Sequence, residues 1–265
     1  LYMGCQSKTS IISSGVSWEL AQNRKASISD VRYKLNFDIP EDKIKPITVE
    51  EFIHFKLSDL TNDVVLDFRQ SADYIHSVSV EGEAVPYKLV NQHILIEASY
   101  FSKGENSIFI SFRAGDMSLN RNDEFLYTLF VPDRASTAIP CFDQPNLKGR
   151  YSLTLSVPTD WRAIANGPIQ SEKVMNNKRV IVFGETRPVS TYIFAFTAGK
   201  FKRLSQEKDG RTMTMLHRET DLEKVERNKN EIFDLHSRAI SWMEEYTGID
   251  YPYQKFDFAL IPGFQ

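Results

Sequence analysis

Tyr127-Thr-Leu-Phe-Val-Pro-Asp-Arg-Ala-Ser-Thr-Ala-Ile-Pro-Cys-Phe-Asp-Gln-Pro-Asn-Leu-Lys-Gly-Arg-Tyr151 stands near the middle of the 265-residue chain, between two runs that read as strands. Pro140 and Pro145 fix their own φ and bias the residues before them toward extended backbone. Between them lie apolar Cys141 and Phe142, then Asp143, a residue type that bonds its own downstream backbone in turns. The stretch reads as a rigid, partly buried loop that locks two sub-structures together. No His lies within twenty residues of Cys141. It therefore reads as a buried small hydrophobe rather than a nucleophile.

On the N-terminal side, Val31, Tyr33, Leu35, Phe37 and Ile39 alternate with Arg32, Lys34, Asn36 and Asp38, the period of a half-buried strand. Ile47, Val49, Ile53, Phe55 and Leu57 repeat the pattern, with Glu51 as an interruption. Further strands are predicted at 64–68, 75–80, 93–97 and 108–112, with turn signals at Glu81-Gly82-Glu83 and Lys103-Gly104-Glu105-Asn106. Residues 16–27 show no clear period. After the loop, strands are predicted at 151–157, 162–165, 178–183 and 191–197. Strands this close together, with no helix between them, argue for an antiparallel sandwich or saddle.

The pattern changes near residue 200. A strand is predicted at 211–217, followed by Thr220-Asp-Leu-Glu223, which has the spacing of a capping box. Leu222, Val225, Ile232, Leu235, Ala239, Trp242, Met243 and Tyr246 then fall on one helical face, and Gly248 gives the usual stop. A short apolar strand is predicted at 256–261. The predicted organisation is a tether over 1–15, an all-β domain over 16–200, and over 201–265 the strand–helix–strand opening of a second domain.

With 32 Lys and Arg against 35 Asp and Glu, the net charge of −3 makes no electrostatic case for nucleic acid as a partner. No run of 18 apolar residues exists, so no transmembrane segment is predicted. Two cysteines, Cys5 and Cys141, are too few for a disulfide framework or a Cys-rich zinc site. Leu1-Tyr-Met-Gly-Cys5 faintly resembles the end of a bacterial lipoprotein signal, with a possible lipid anchor at Cys5. That reading implies the cell envelope or a periplasm-facing site. The alternative is an arbitrary start and a cytoplasmic protein.

Pro140-Cys-Phe-Asp-Gln-Pro145 resembles the Pro-Cys-Phe-Asp-Glu-Pro segment of the zinc aminopeptidases of the aminopeptidase N and leukotriene hydrolase type, the gluzincin metallopeptidases. Ala165-Asn-Gly-Pro168, Ser190-Thr-Tyr-Ile-Phe-Ala-Phe-Thr-Ala-Gly199 and Tyr246-Thr-Gly-Ile-Asp-Tyr-Pro-Tyr-Gln-Lys-Phe-Asp257 resemble further family segments in the same order. The resemblance implies an N-terminal β domain followed by the start of a thermolysin-like α/β catalytic domain. It also implies that the parent protein removes amino-terminal residues from peptide substrates by means of zinc.

The family's zinc site needs His-Glu-x-x-His on a helix and a later Glu. None of the five histidines (His54, His76, His93, His217 and His236) stands in that pattern. Each reads as an ordinary surface or strand residue, His236 as a satisfied helical one. No catalytic or metal residue, and no bound cofactor, is expected in this chain, which is read as an N-terminal piece of the parent. The family's amine-gripping segment, Thr-Gln-x-Glu or Thr-Gln-x-Gln, aligns through the cysteine with Thr128-Leu-Phe-Val131. The resemblance thus places substrate-binding duty on Val131, which can accept no hydrogen bond. Asp133 and Arg134 are candidate substitutes. A non-catalytic relative, using the same fold as a scaffold or binding module, is the alternative.

Overall fold

The computed structural model describes residues 12–253 and 255–261. Cys5, with most of the predicted tether, lies outside the described residues. Helix α1 (Trp18–Ser27) leads into β1 (Ile28–Asp38), which pairs antiparallel with β2 (Thr48–Leu57). There follow β3 (Val64–Asp67), β4 (Ile75–Val80), β5 (Glu83–Ala84), β6 (Lys88–Val90), β7 (His93–Ile96) and β8 (Gly104–Arg113). β9 (Phe125–Tyr127) precedes the central loop. After it come β10 (Gly149–Pro158), β11 (Arg162–Ala165), β12 (Ile169–Met175), β13 (Lys178–Phe183) and β14 (Phe196–Gly199). The described chain closes with β15 (Lys202–Lys208), β16 (Arg211–His217), the long helix α2 (Leu222–Thr247) and β17 (Lys255–Ala259).

The mostly β, largely antiparallel architecture expected from the alternation is present. One sheet has eight strands in the order β12-β13-β10-β1-β2-β8-β4-β5. Three smaller sheets run β3-β7-β6, β11-β14-β9 and β15-β16-β17. Among the described residues two pairs are parallel: β1 with β10, and β16 with β17. Parallel neighbours need a long crossover, and here everything from β2 to the central loop supplies it for β1 and β10. The alternating residues of β1, β2, β8 and β10 point into one apolar core. Its aromatic spine stacks Tyr33 on Tyr151 at 4.8 Å and Tyr151 on Phe194 at 4.3 Å. Gly149 has no side chain because a Cβ there would stand 2.7 Å from the Tyr33 ring.

Several predicted details are corrected. Residues 18–27 form α1, capped by Ser17 Oγ, which accepts from Leu20 N at 3.1 Å. Only Leu20 and Arg24 of this helix are buried, so it carries no apolar stripe to read. Residues 191–193 form a 3-10 turn, and the strand starts only at Phe196. β12 and β15 are polar enough to have escaped the pattern. Glu51 does not interrupt β2: it continues the inward phase and is fully buried.

The cap of α2 is Asp221, not Thr220; its carboxylate accepts from Lys224 N at 3.0 Å. Glu219 accepts from Thr220 N and Asp221 N, and the hydrogen bond from Lys224 leads the contacts that hold its carboxyl at about 2. Gly248 ends the helix as expected, at φ 65°. The buried face of α2 is Phe233, Ser237 and Ile240, packed with Met213, Met215, Phe256 and Phe258 of its sheet. The predicted apolar face points largely outward: Leu222, Leu235, Trp242, Met243 and Tyr246 are between 49% and 75% exposed. Packing on β15-β16-β17 chose the Phe233 side. No helix among the described residues is long and apolar enough to cross a membrane.

Candidate functional site

The central loop is held by backbone and side-chain contacts from α1, β1, β2, β3 and residues 190–191. Asp67, at the end of β3, pairs by backbone with Cys141: its N–H donates to Cys141 O at 2.7 Å, and Cys141 N–H donates back at 3.1 Å. Phe142 N donates to Tyr33 Oη at 3.0 Å, and the Phe142 ring packs edge-on against Phe55. Asp143 N donates to Asp67 Oδ2 at 2.7 Å. The Asp143 carboxylate accepts from Ser136 N at 3.0 Å and from Thr191 Oγ1 at 2.6 Å. Gln144 Nε2 donates to Ala21 O, and Ser190 Oγ donates to Pro145 O at 2.7 Å. Cys141 is fully buried, as expected. Burial, with the carboxyl groups of Asp143, Asp67 and Glu51 around it, pushes its thiol well above the ordinary range, so no thiolate is available for chemistry.

Beneath the loop lies a buried charge cluster. Arg24 grips Asp67 with both terminal nitrogens, at 2.8 and 2.7 Å, and also donates to Val65 O. Its guanidinium lies over Phe142 at 5.6 Å. His93 Nδ1 is 2.7 Å from Asp67 Oδ1. His93 is thus not the ordinary surface or strand residue predicted: it is 1% exposed and part of this cluster. Burial raises the Asp67 carboxyl, but the Arg24 charge and the hydrogen bonds from His93 and Arg24 outweigh it and leave the carboxyl below its usual range. A signal for Asp67 existed: a carboxylate inside the apolar run Val64-Val65-Leu66-Asp67-Phe68 needs a buried partner.

Val131, Asp133 and Arg134 all lie on an exposed turn after β9. The Val131–Pro132 peptide is cis, and Val131 is 51% exposed. Asp133 is ion-paired with Arg69 at 2.8 Å, and Arg134 N–H donates to Phe130 O. The turn is fixed from behind by Thr128, whose N and Oγ1 both donate to Phe196 O. Leu129, Ala259 at the end of β17 and Ile261 just after it each pack on a cluster of Phe125, Tyr127, Ile164, Phe201 and Leu216.

The other motifs continue the same hydrogen-bonded frame. Asn166 accepts from Ala195 N at 2.6 Å and donates to Ile193 O. Lys255 Nζ donates to Ala165 O at 2.6 Å and to the Asp257 carboxylate, tying the third sheet to β11. His236 Nδ1 bonds Ile232 O, and its ring stacks on Phe258 at 4.1 Å. Among the described residues, no group of three or more His, Cys, Asp or Glu is placed to hold a metal ion. They do not fit a zinc site, and no chemical step is assigned to them.

This is the geometry of a β scaffold braced around a structural loop. Residues 30–193 match the Peptidase M1 N-terminal domain, and the chain belongs to that family. It is 29% identical over 77% of its length to "Probable aminopeptidase 2" of Sulfurisphaera tokodaii, of which it spans 26%. It is 32% identical over 52% of its length to "Aminopeptidase M1" of Arabidopsis thaliana, spanning 15% of that protein. It is also 24% identical over 88% of its length to "Tricorn protease-interacting factor F2" of Thermoplasma acidophilum, spanning 29%. The chain thus spans less than a third of each of these relatives.

Proposed function

We propose that this chain serves as the N-terminal part of a zinc-dependent aminopeptidase acting on peptides. The observation that carries the reading is its similarity, across 77% of its length, to a relative named as a probable aminopeptidase. In this reading residues 16–200 form the scaffold domain, and 201–265 open a catalytic domain whose further residues supply the zinc ligands and the hydrolytic centre. The outward apolar face of α2, with Trp242 stacked on Tyr246 at 5.1 Å, supports it as the seat of that domain.

The Val131 turn then borders the substrate. A free amino terminus is charged near neutral pH, and its binding calls for acceptors. Val131 offers none, and Asp133 is engaged by Arg69. The absent charge-assisted hydrogen bond corresponds to about a ten- to hundred-fold weaker preference for free amino termini. The test compares kcat/KM for free and acetylated forms of one peptide, in the whole protein and its Val131→Glu variant, with and without a zinc chelator. Chelator-sensitive cleavage, with a free-amine preference that rises in Val131→Glu, is expected. Absence of any chelator-sensitive peptidase activity would overturn the enzyme reading. A wild-type preference of a thousand-fold or more would overturn the role given to Val131.

A further inference from the structure

His93 faces oxygens with both ring nitrogens. Nδ1 lies 2.7 Å from Asp67 Oδ1, and Nε2 lies 3.0 Å from Ser13 O and 3.2 Å from Gly15 O. Carbonyls and an ionised carboxylate only accept, and a neutral imidazole carries a single N–H. Either neutral tautomer would therefore turn a lone pair on an oxygen lone pair in a site that is 1% exposed. A ring protonated on both nitrogens satisfies every contact.

The charges around it lead to the same state independently. Arg24 from α1, Asp67 from β3 and Asp143 from the central loop are all buried with His93. Each Asp143 oxygen accepts a hydrogen bond, as a carboxylate does. Cys141, backbone-paired with Asp67, Tyr33, which accepts from Phe142 N, and the nearby Glu51 carboxyl are held neutral by burial. Residues 12–15 bring no charged side chain. Two carboxylates against Arg24 alone leave an unbalanced buried charge, which is costly. A protonated His93 makes the cluster neutral.

We propose that His93 is a proton-dependent clasp: its protonated ring ties the segment before α1 to Asp67 and, through Asp67, to the central loop. Neutral side chains grip the same segment, with Asn91 Nδ2 on Ile12 O at 2.7 Å and Ser14 Oγ on Gln92 at 3.1 Å. Those contacts are indifferent to protons, whereas the His93 contact is not. When the ring loses a proton, either Nε2 or Nδ1 ceases to donate, and the segment or Asp67 loses a charge-assisted bond. The clasp is therefore closed while both ring nitrogens carry a proton and opens when one of them loses it.

The test uses the intact chain with 15N-labelled histidine. Ring 15N shifts report protonation at each nitrogen, and amide exchange, corrected for its intrinsic pH dependence, reports protection of residues 12–17. Both nitrogens are expected to carry protons while the segment is protected. Exchange of 12–17 should accelerate about tenfold or more, with the same midpoint as the ring. In His93→Gln the acceleration should disappear and the segment should exchange fast throughout. A neutral ring with the segment still protected would overturn the proposal. So would ring titration with no change in protection, a result the wild-type chain supplies even if His93→Gln fails to fold.

Discussion

The eight-stranded sheet with its central loop and the α2 sheet are built from similar residues and end differently. In the first, the inward residues of β1, β2, β8 and β10 are almost wholly covered, and the loop's turn carboxylate, Asp143, is bonded through both oxygens. In the second, Phe233 and Ile240 are buried, while Trp242 and Tyr246 on the opposite side face outward. One region is a finished interior. The other has committed one face of a helix and left a second face of comparable apolarity available. Burial, not composition, separates them.

The sharpest way to break this contrast is at Asp67. Asp67→Ala removes the acceptor shared by Arg24, His93 and Asp143 N, and leaves buried cations uncompensated. Such a loss costs about 3–5 kcal/mol, measured by urea unfolding. A loss under about 1 kcal/mol would mean the loop does not depend on the cluster.

A smaller effect, of opposite sign, is expected at Glu51. Both of its carboxyl oxygens are buried without a partner among the described residues, and burial pushes the carboxyl well above its usual range. The fold therefore binds a proton that the unfolded chain releases above about pH 4.3. Stability is fully present below that pH and falls as pH rises toward the folded-state value, by up to about 1.4 kcal/mol per pH unit. Glu51→Leu should gain about 1–3 kcal/mol at neutral pH, and Glu51→Gln should flatten the profile. A wild-type profile unchanged by Glu51→Gln would show that the carboxyl is ionised in the fold.

The smallest effect belongs to the open face. Trp242→Ser should change the stability of this chain by no more than about 0.5 kcal/mol, whereas Phe233→Ala should cost about 3–5 kcal/mol. Comparable losses at both positions would erase the distinction between the two faces of α2.

The strands were legible because alternation is local: Val31 to Phe37 and Tyr151 to Val157 carry their own answer. The loop's rigidity was legible from Pro140 and Pro145. The cluster beneath it was not. Asp67 meets His93, Arg24 and Asp143 at separations of 26, 43 and 76 residues, which no window of sequence spans. Glu51 and Asp67 look alike in sequence, each a carboxylate among the apolar residues of a strand, yet one is left alone and the other is gripped. The face of α2 was misread because both sides are apolar, and only the sheet decides between them. For Val131, Asp133 and Arg134 the residues offered a position, while their exposure and the Arg69 contact come from the fold.

The parallel pairing of β1 with β10 also carries a cost in time. Val31 sits opposite Gly149, so more than a hundred residues must leave the ribosome after β1 before its second neighbour exists. At roughly 5–20 residues per second, β1 waits on the order of ten seconds with one edge unpaired, the kind of edge that recruits stray strands. Nascent chains stalled before β10 should therefore be protease-sensitive and held by chaperones, and those stalled well past it should be released.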